Sequence, residues 1–401
     1  MNILAVNGGE PYKKTPFPKW PISDERELEL ITEVLKSGNW WRATGDKVIT
    51  FEKEFSAFQG TEYCLGVTSG THAIELCLSV LGIGKGDEVI IPAFTYISTG
   101  AAVVNCCATP VLVDVDLDTF CMSPESFEKA ITSKTRAVIP VHMAGHACNM
   151  ERICQIANQF NIKVIEDAAH GHGGEWKHKR LGSFGDMAIF SFQNGKLMTC
   201  GEGGCIITND KEYYEKAYLM HGVGRPKEDR GYTHLLPGTT CRMSEFHAAI
   251  LLAQMTRVDS MNKIREENAT YLDELFAGIE GIKPQGRNKD ATIVSHYMYM
   301  FYYDSLEFNG LSREKFVEAL KAEGIPAFIS FPVLSDTEFF KEKNFGKIID
   351  IFDKQDKIDL SNAKKIARDV VWLHHTTLEG DKQDLKDIVG AVKKIQEAVN
   401  I

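Results

Sequence analysis

Residues 163–204, KVIEDAAHGHGGEWKHKRLGSFGDMAIFSFQNGKLMTCGEGG, hold two apolar β-branched runs. The first closes on an acid at Asp167, and the second, MAIFSFQ, leads into a polar, glycine-flanked connection that contains Lys196. Upstream, similar runs alternate with helical stretches: EVIIPAF, an Ala-rich segment from Ser98, PVLVDVD, SPESFEKAIT, RAVIPVHMAG and MERICQIANQF. Strand, helix, strand in that rhythm predicts a mainly parallel sheet in an α/β protein. Ser123 followed by Pro124, with Glu125 and Glu128 in the opening turns, is helix-start chemistry. Downstream, GGCIITND reads as another strand. Apolar positions at helical spacing then run from Ser244 to Ile279, which predicts a long amphipathic bridge to a second unit. YMYMFYYD, SREKFVEALKAEG, IPAFISFP and an Ile/Val-rich final helix suit a smaller α+β domain. The expected division is an arm over 1–25, a large domain over 26–260 and a small domain over 261–401.

A chain of 401 residues with 44% hydrophobic and 25% charged content exceeds the length at which one core usually splits. Against 55 Asp plus Glu stand 45 Lys plus Arg, and no basic block tracks a phosphate backbone, so nucleic acid is not an expected partner. The opening residues lack the apolar core of a signal peptide, and no stretch reaches about 18 uninterrupted apolar residues. The expectation is a cytoplasmic protein that does not cross a membrane. The ten cysteines are scattered without a C-x-x-C pair, which predicts reduced core thiols and no metal site.

Several side chains fall at or just past predicted strand ends, where open α/β sheets bind ligands. VTSGTHAIELCL reads as a strand end, a turn and a helix start, whose free N–H groups at Ser69, Gly70 and Thr71 would favour a dianionic phosphate. Tyr96 in PAFTYIS follows another strand, Asp167 ends KVIED, and Lys196 follows MAIFSFQ. Alone, each has an ordinary alternative: a solvated loop lysine, a helix N-cap at Asp167, a core aromatic at Tyr96. Together, in the order phosphate turn, aromatic, aspartate, lysine, they supply what pyridoxal 5'-phosphate (PLP) needs from a protein. Those needs are an imine-forming amine, a carboxylate for the pyridine nitrogen, a phosphate cradle and a flat face against the ring.

The strings TSGTHA, PAFTY, VHMAG, IEDAAHGHG, SFQNGK, GEGG and RMSEFHAA, in that order from about Trp40 to the end of the chain, resemble the DegT/DnrJ/StrS aminotransferases. These are fold type I PLP enzymes that act on keto sugars and cyclitols. The resemblance implies a large domain with a mainly parallel seven-stranded sheet, a smaller C-terminal α+β domain and a homodimer with the site at its interface. It implies Lys196 as the Schiff-base residue and Asp167 as the partner of the pyridinium nitrogen. Gly70, Thr71 and Ser191 would be phosphate contacts, Tyr96 a stacking ring, and His170 a neighbour of the ring hydroxyl, with His172 close by. Where family members commonly carry Asn two residues before the Arg of RM, this chain has Thr240 in GTTCRM, whose hydroxyl retains one donor for the phosphate.

GNWWRATGDKVITFEKEF, HGVGRPKEDRGYTH, SHYMYMF, PAFISF and VWLHH are similar to a narrower branch, the 3-amino-5-hydroxybenzoate synthases, which dehydrate and aromatise an aminated cyclic ketone. By that likeness Arg42, Arg225, His296 and Tyr297 are substrate-side candidates. For the two arginines a surface salt bridge competes, and of the adjacent His296 and Tyr297 one is expected in the core. The implied reaction is amino transfer from glutamate or glutamine to a keto sugar or cyclitol, with the aromatising dehydration as its alternative. A non-catalytic PLP-bound regulator is disfavoured by the intact Lys196 and the lack of a DNA-binding module.

Overall fold

The computed structural model describes residues 3–227, 232–341 and 358–399. Part of the 221–234 motif and a stretch of the expected small domain therefore lie outside the described residues. In chain order the strands are β1 (Tyr63–Val67), β2 (Glu88–Pro92), β3 (Thr109–Val113), β4 (Thr135–Val138), β5 (Lys163–Asp167), β6 (Glu175–Trp176), β7 (Lys179–Arg180), β8 (Met187–Ser191) and β9 (Gly204–Thr208). Then follow β10 (Ile282–Pro284), β11 (Ala291–Ile293), β12 (Met298–Tyr303), β13 (Ala327–Ile329) and β14 (Val370–His374). Seven strands form one sheet in the order β1-β9-β8-β5-β4-β2-β3, in which β9 alone runs against its neighbours. The expected α/β architecture with a mainly parallel seven-stranded sheet is what the chain adopts. A second, antiparallel sheet has the order β10-β12-β14-β13, and β11 joins β6 and β7 in a small third one.

The parallel strands are buried on both faces, as the continuous run EVIIP in β2 requires, and feed one large apolar core through Ile90, Leu112, Val138 and Ile165. The small sheet packs Phe301, Phe316, Val371 and Ile395 into a separate core. Helix starts follow the capping residues. Ser123 Oγ accepts from the Ser126 amide ahead of Pro124–Ala130, and Ser69 Oγ accepts from the His72 amide ahead of Gly70–Val80.

The stretch expected as one bridging helix is instead two, Glu245–Met255 and Val258–Phe276. Arg257, at the break, is pulled into a bidentate pair with buried Glu27 at 2.5 and 2.8 Å, and its guanidinium also meets Asp24. The arm ahead of the first helix lies along the small sheet's layer. Glu323, wholly buried, accepts from the backbone amides of Ala5 and Tyr12, each at 2.8 Å, and from Lys394. Lys13 reaches Asp384 and Asp387.

Candidate active site

The carboxyl ends of β1, β2, β5 and β8 open on one cleft of ≈ 480 Å³, and the side chains expected to bind a cofactor gather there. Ser69, Gly70, Thr71, Tyr96, Asp167, His170, Ser191, Lys196 and Tyr297 all line it. At the phosphate turn, the Ser69 carbonyl and hydroxyl take the amides of Ala73 and His72, so the amides of Gly70 and Thr71 head the first helical turn without an intrahelical partner. Gly70 permits a close approach: a Cβ there would sit 3.0 Å from Ser191 Cβ. Gly204 of GEGG is tighter still, because a Cβ would lie 2.4 Å from the Ser69 carbonyl carbon. Strand β9 thus presses against the turn that β1 delivers.

Asp167 is 6% exposed at the end of β5. Its Oδ2 accepts from Thr99 Oγ1 at 3.0 Å and its Oδ1 from the Ala169 amide at 3.2 Å. Burial pushes its pKa above the usual carboxylate value, while those donors and Lys196 oppose the rise. Lys196 sits on the loop between β8 and β9, its Nζ 4.4 Å from the centre of the Tyr297 ring. Burial pulls the ammonium down to about 8, with Asp167 acting against the shift. The Tyr297 ring also stacks on His170 at 4.2 Å, and burial keeps His170 neutral with its Nδ1 unpartnered inside the protein. A carboxylate and an amine facing one space, a helix start with a Gly that admits a large anion, and an orphaned imidazole nitrogen on the rim are a donor set that fits PLP.

The other candidates stand elsewhere. His172 is wedged between Phe190 and Phe192, with neither ring nitrogen partnered. Of the adjacent pair, Tyr297 lines the cleft, while His296, at φ 51°, turns back to Glu266 at 3.0 Å and packs edge-on to His146. Arg42 is committed to buried Glu52 through two bonds at 3.0 and 3.1 Å and to His221, tying the 38–45 segment to β1 through the Gly66 amide. Arg225 and Thr240 do not line this cleft, and Thr240 is exposed, bridged to Gly222. Among the described residues no arginine lines it.

Among the lining residues not named as site candidates from the sequence are Thr99, Gln193, Phe331 and Trp372. Thr99 stands one helical turn after Tyr96, a spacing that pointed to it. Gln193 holds the Gly195 amide at 2.8 Å on the lysine loop. Phe331 and Trp372 come from the small sheet and its loops, and carried no local signal. Among the described residues no helix is long and apolar enough to cross a membrane, and no cluster of His, Cys, Asp or Glu is arranged for a metal.

Residues 21–393 match the DegT/DnrJ/EryC1/StrS aminotransferase family. The chain is 41% identical to the 3-amino-5-hydroxybenzoate synthase of Amycolatopsis mediterranei over 93% of its length and 96% of that protein's. It is 32% identical to the L-glutamine:2-deoxy-scyllo-inosose aminotransferase of Streptoalloteichus tenebrarius, covering 98% and 97%. A crystal structure of 3-amino-5-hydroxybenzoic acid synthase superposes with a TM-score of 0.90, at 41% identity, over 97% of this chain and 100% of that one. That of S. venezuelae DesV, in complex with a ketimine intermediate, gives 0.83 at 30% identity, over 96% and 99%. With the family match spanning most of the chain and the fold superposing on these structures, the chain belongs to the DegT/DnrJ/EryC1/StrS aminotransferase family and is a PLP-dependent enzyme of fold type I.

Proposed function

We propose that this enzyme transfers an amino group from glutamine or glutamate to a ketone on a six-membered polyhydroxylated ring, a cyclitol or keto sugar. The observation that carries the reading is the composition of the cleft. Lys196 and Asp167 share the cleft with an aromatic wall of Tyr297, Phe331 and Trp372, with Ser98, Thr95 and Gln193 as neutral hydrogen-bonding groups. Such a wall suits the face of a compact ring, and the hydroxyls and amide suit its oxygens.

PLP, when bound, supplies an electron sink for the pair left by breaking a C–H bond beside the amino nitrogen. Gly70, Thr71 and Ser191 would take its phosphate, Asp167 would keep a proton at its ring nitrogen, and His170 and Tyr96 would flank its ring. Lys196 is the attachment point and, once released, the base that lifts a proton from the substrate carbon and returns it elsewhere. A side-chain amine tuned to about 8 exchanges a proton readily near neutral pH. The reading includes a homodimer whose partner completes the cleft. Exposed Trp40, Tyr232 and Leu235 are the apolar side chains for that contact, and sedimentation at micromolar concentration tests it.

A second reading keeps the site and changes the outcome. The higher identity to 3-amino-5-hydroxybenzoate synthase, 41% against 32%, favours loss of water from an already aminated ring to give an aromatic product. PLP-loaded protein incubated with glutamine plus a panel of inososes and keto sugars, or with aminodehydroshikimate alone, separates the two by mass spectrometry. Keto-acid release with an aminated ring supports the first, and an ultraviolet-absorbing aminobenzoate without keto acid supports the second.

A further inference from the structure

The loop that carries Lys196 is held from outside the large sheet. Trp20, at the end of the arm, donates its indole N–H to the Asn194 carbonyl at 2.8 Å. On the other side stands His375, wholly buried just after β14, with its ring edge-on to Trp20 at 4.7 Å and nearly parallel to Tyr297 at 6.3 Å. Its Nδ1 meets Glu379 Oε1 at 2.9 Å, and the same oxygen accepts from Arg265 at 2.8 Å. Arg265, itself fully buried, is fixed by the Ser295 carbonyl at 3.0 Å. A carboxylate beside Nδ1 places the ring proton there. Nε2 is buried and turned toward the loop backbone at Gly195, whose own amide is taken by Gln193, so the ring bounds that backbone by packing.

We propose that Trp20 and His375 are positioning residues that clasp the Asn194–Gly195 backbone from two sides and so set the direction from which Lys196 enters the cleft. The Arg265–Glu379 pair holds the imidazole in the orientation the clasp needs. Tyr297 closes it: its ring lies beneath Lys196 Nζ, and a Cβ on Gly195 would come 3.7 Å from its hydroxyl. Trp20 and His375, which do not line the cleft, thus help to keep the Lys196 amine among rings and away from water. Loosening either side lets the loop drift outward and the amine rehydrate.

The inference rests on Lys196 being the PLP attachment point, so that premise has its own readout: borohydride reduction and peptide mapping of the loaded enzyme must find the cofactor on Lys196. The clasp is tested on the full chain without cofactor, by competitive labelling of the Lys196 amine as a function of pH in wild type, Trp20→Phe and His375→Asn. The labelling midpoint is expected to rise by about half a pH unit or more in each variant, as the amine regains water. PLP attachment is expected to slow by roughly tenfold, because the amine spends less time in its working direction. The double variant is expected to fall short of the sum, since either change frees the same stretch of backbone. Midpoints coincident with wild type in both single variants overturn the proposal. If His375→Asn does not fold, Trp20→Phe decides alone, because Trp20 lies on the half-exposed arm, and an unchanged midpoint there is equally fatal.

Discussion

On one wall of the cleft, Gly70, Tyr96, Asp167 and Ser191 stand at or just beyond the ends of strands in a buried sheet, and on the other, Tyr297, Phe331 and Trp372 come from an antiparallel sheet with its own core. The first wall is rigid by construction, since every side chain on it is placed by a strand end or a helix start locked in the large core. The second is placed by packing between aromatics: Trp372 stacks on Phe328 at 4.4 Å, and Phe331 leans on Phe94 and Tyr96 at 6.0 and 6.3 Å. On the proposed reading, chemistry falls to the wall of strand ends and ring recognition to the adaptable aromatic one.

That contrast breaks most sharply at Lys196. Lys196→Ala is expected to lower turnover on the order of ten-thousandfold while leaving the fold intact, measured by steady-state rates beside circular dichroism. Turnover near wild type would show that Lys196 does not carry the chemistry. Asp167→Asn is expected to cost about a hundredfold or more in kcat, because a neutral amide does not hold a proton on the pyridine nitrogen. PLP attachment to the cofactor-free chain tests the amine directly. Burial lowers the proton affinity of Lys196, so the unprotonated, reactive form grows as pH rises toward about 8 and saturates above it. The attachment rate is expected to climb roughly tenfold between pH 7 and 9, and a climb of about a hundredfold that continues above pH 9, the behaviour of an ordinary lysine amine, contradicts the lowered value. The smallest effect belongs to the adaptable wall. Trp372→Ala is expected to raise KM for the ring substrate several-fold with kcat changed little, the pattern of lost uniform binding. A kcat loss as large as that of Asp167→Asn would erase the distinction between the walls.

The same division explains what the sequence disclosed. Strand ends with small or acidic residues are local signals, and Ser69 to Thr71, Tyr96, Asp167 and Lys196 were legible because each lies beside the strand that places it. Gly204 was legible as part of GEGG, but its reason, the contact with the Ser69 backbone, is tertiary. Trp372 sits in VVWLHH between two wholly buried residues, Val371 and Leu373, so only the pairing of β14 with β12 and β13 tells which face meets the cleft. Arg42 was a substrate-side candidate by likeness to the synthase branch, and its pairing with Glu52, ten residues on, had no local signal to decide for the competing salt bridge. The break at Thr256–Arg257 was hidden for a like reason, since Arg257 answers to Glu27, far back along the chain.

The seat of the arm has a consequence for how the molecule comes into being. Ala5 is anchored to Glu323 across 318 residues of sequence, and Lys394 completes that anchor from the final helix. During synthesis the large sheet is complete once β9 has emerged to pair with β1, whereas the Ala5 anchor waits for Glu323 and Lys394, when nearly the whole polypeptide exists. Trp20 travels with it. The large-sheet side of the cleft is therefore synthesised well before that anchor can close, and residues translated ahead of the large sheet are among the last to find their places.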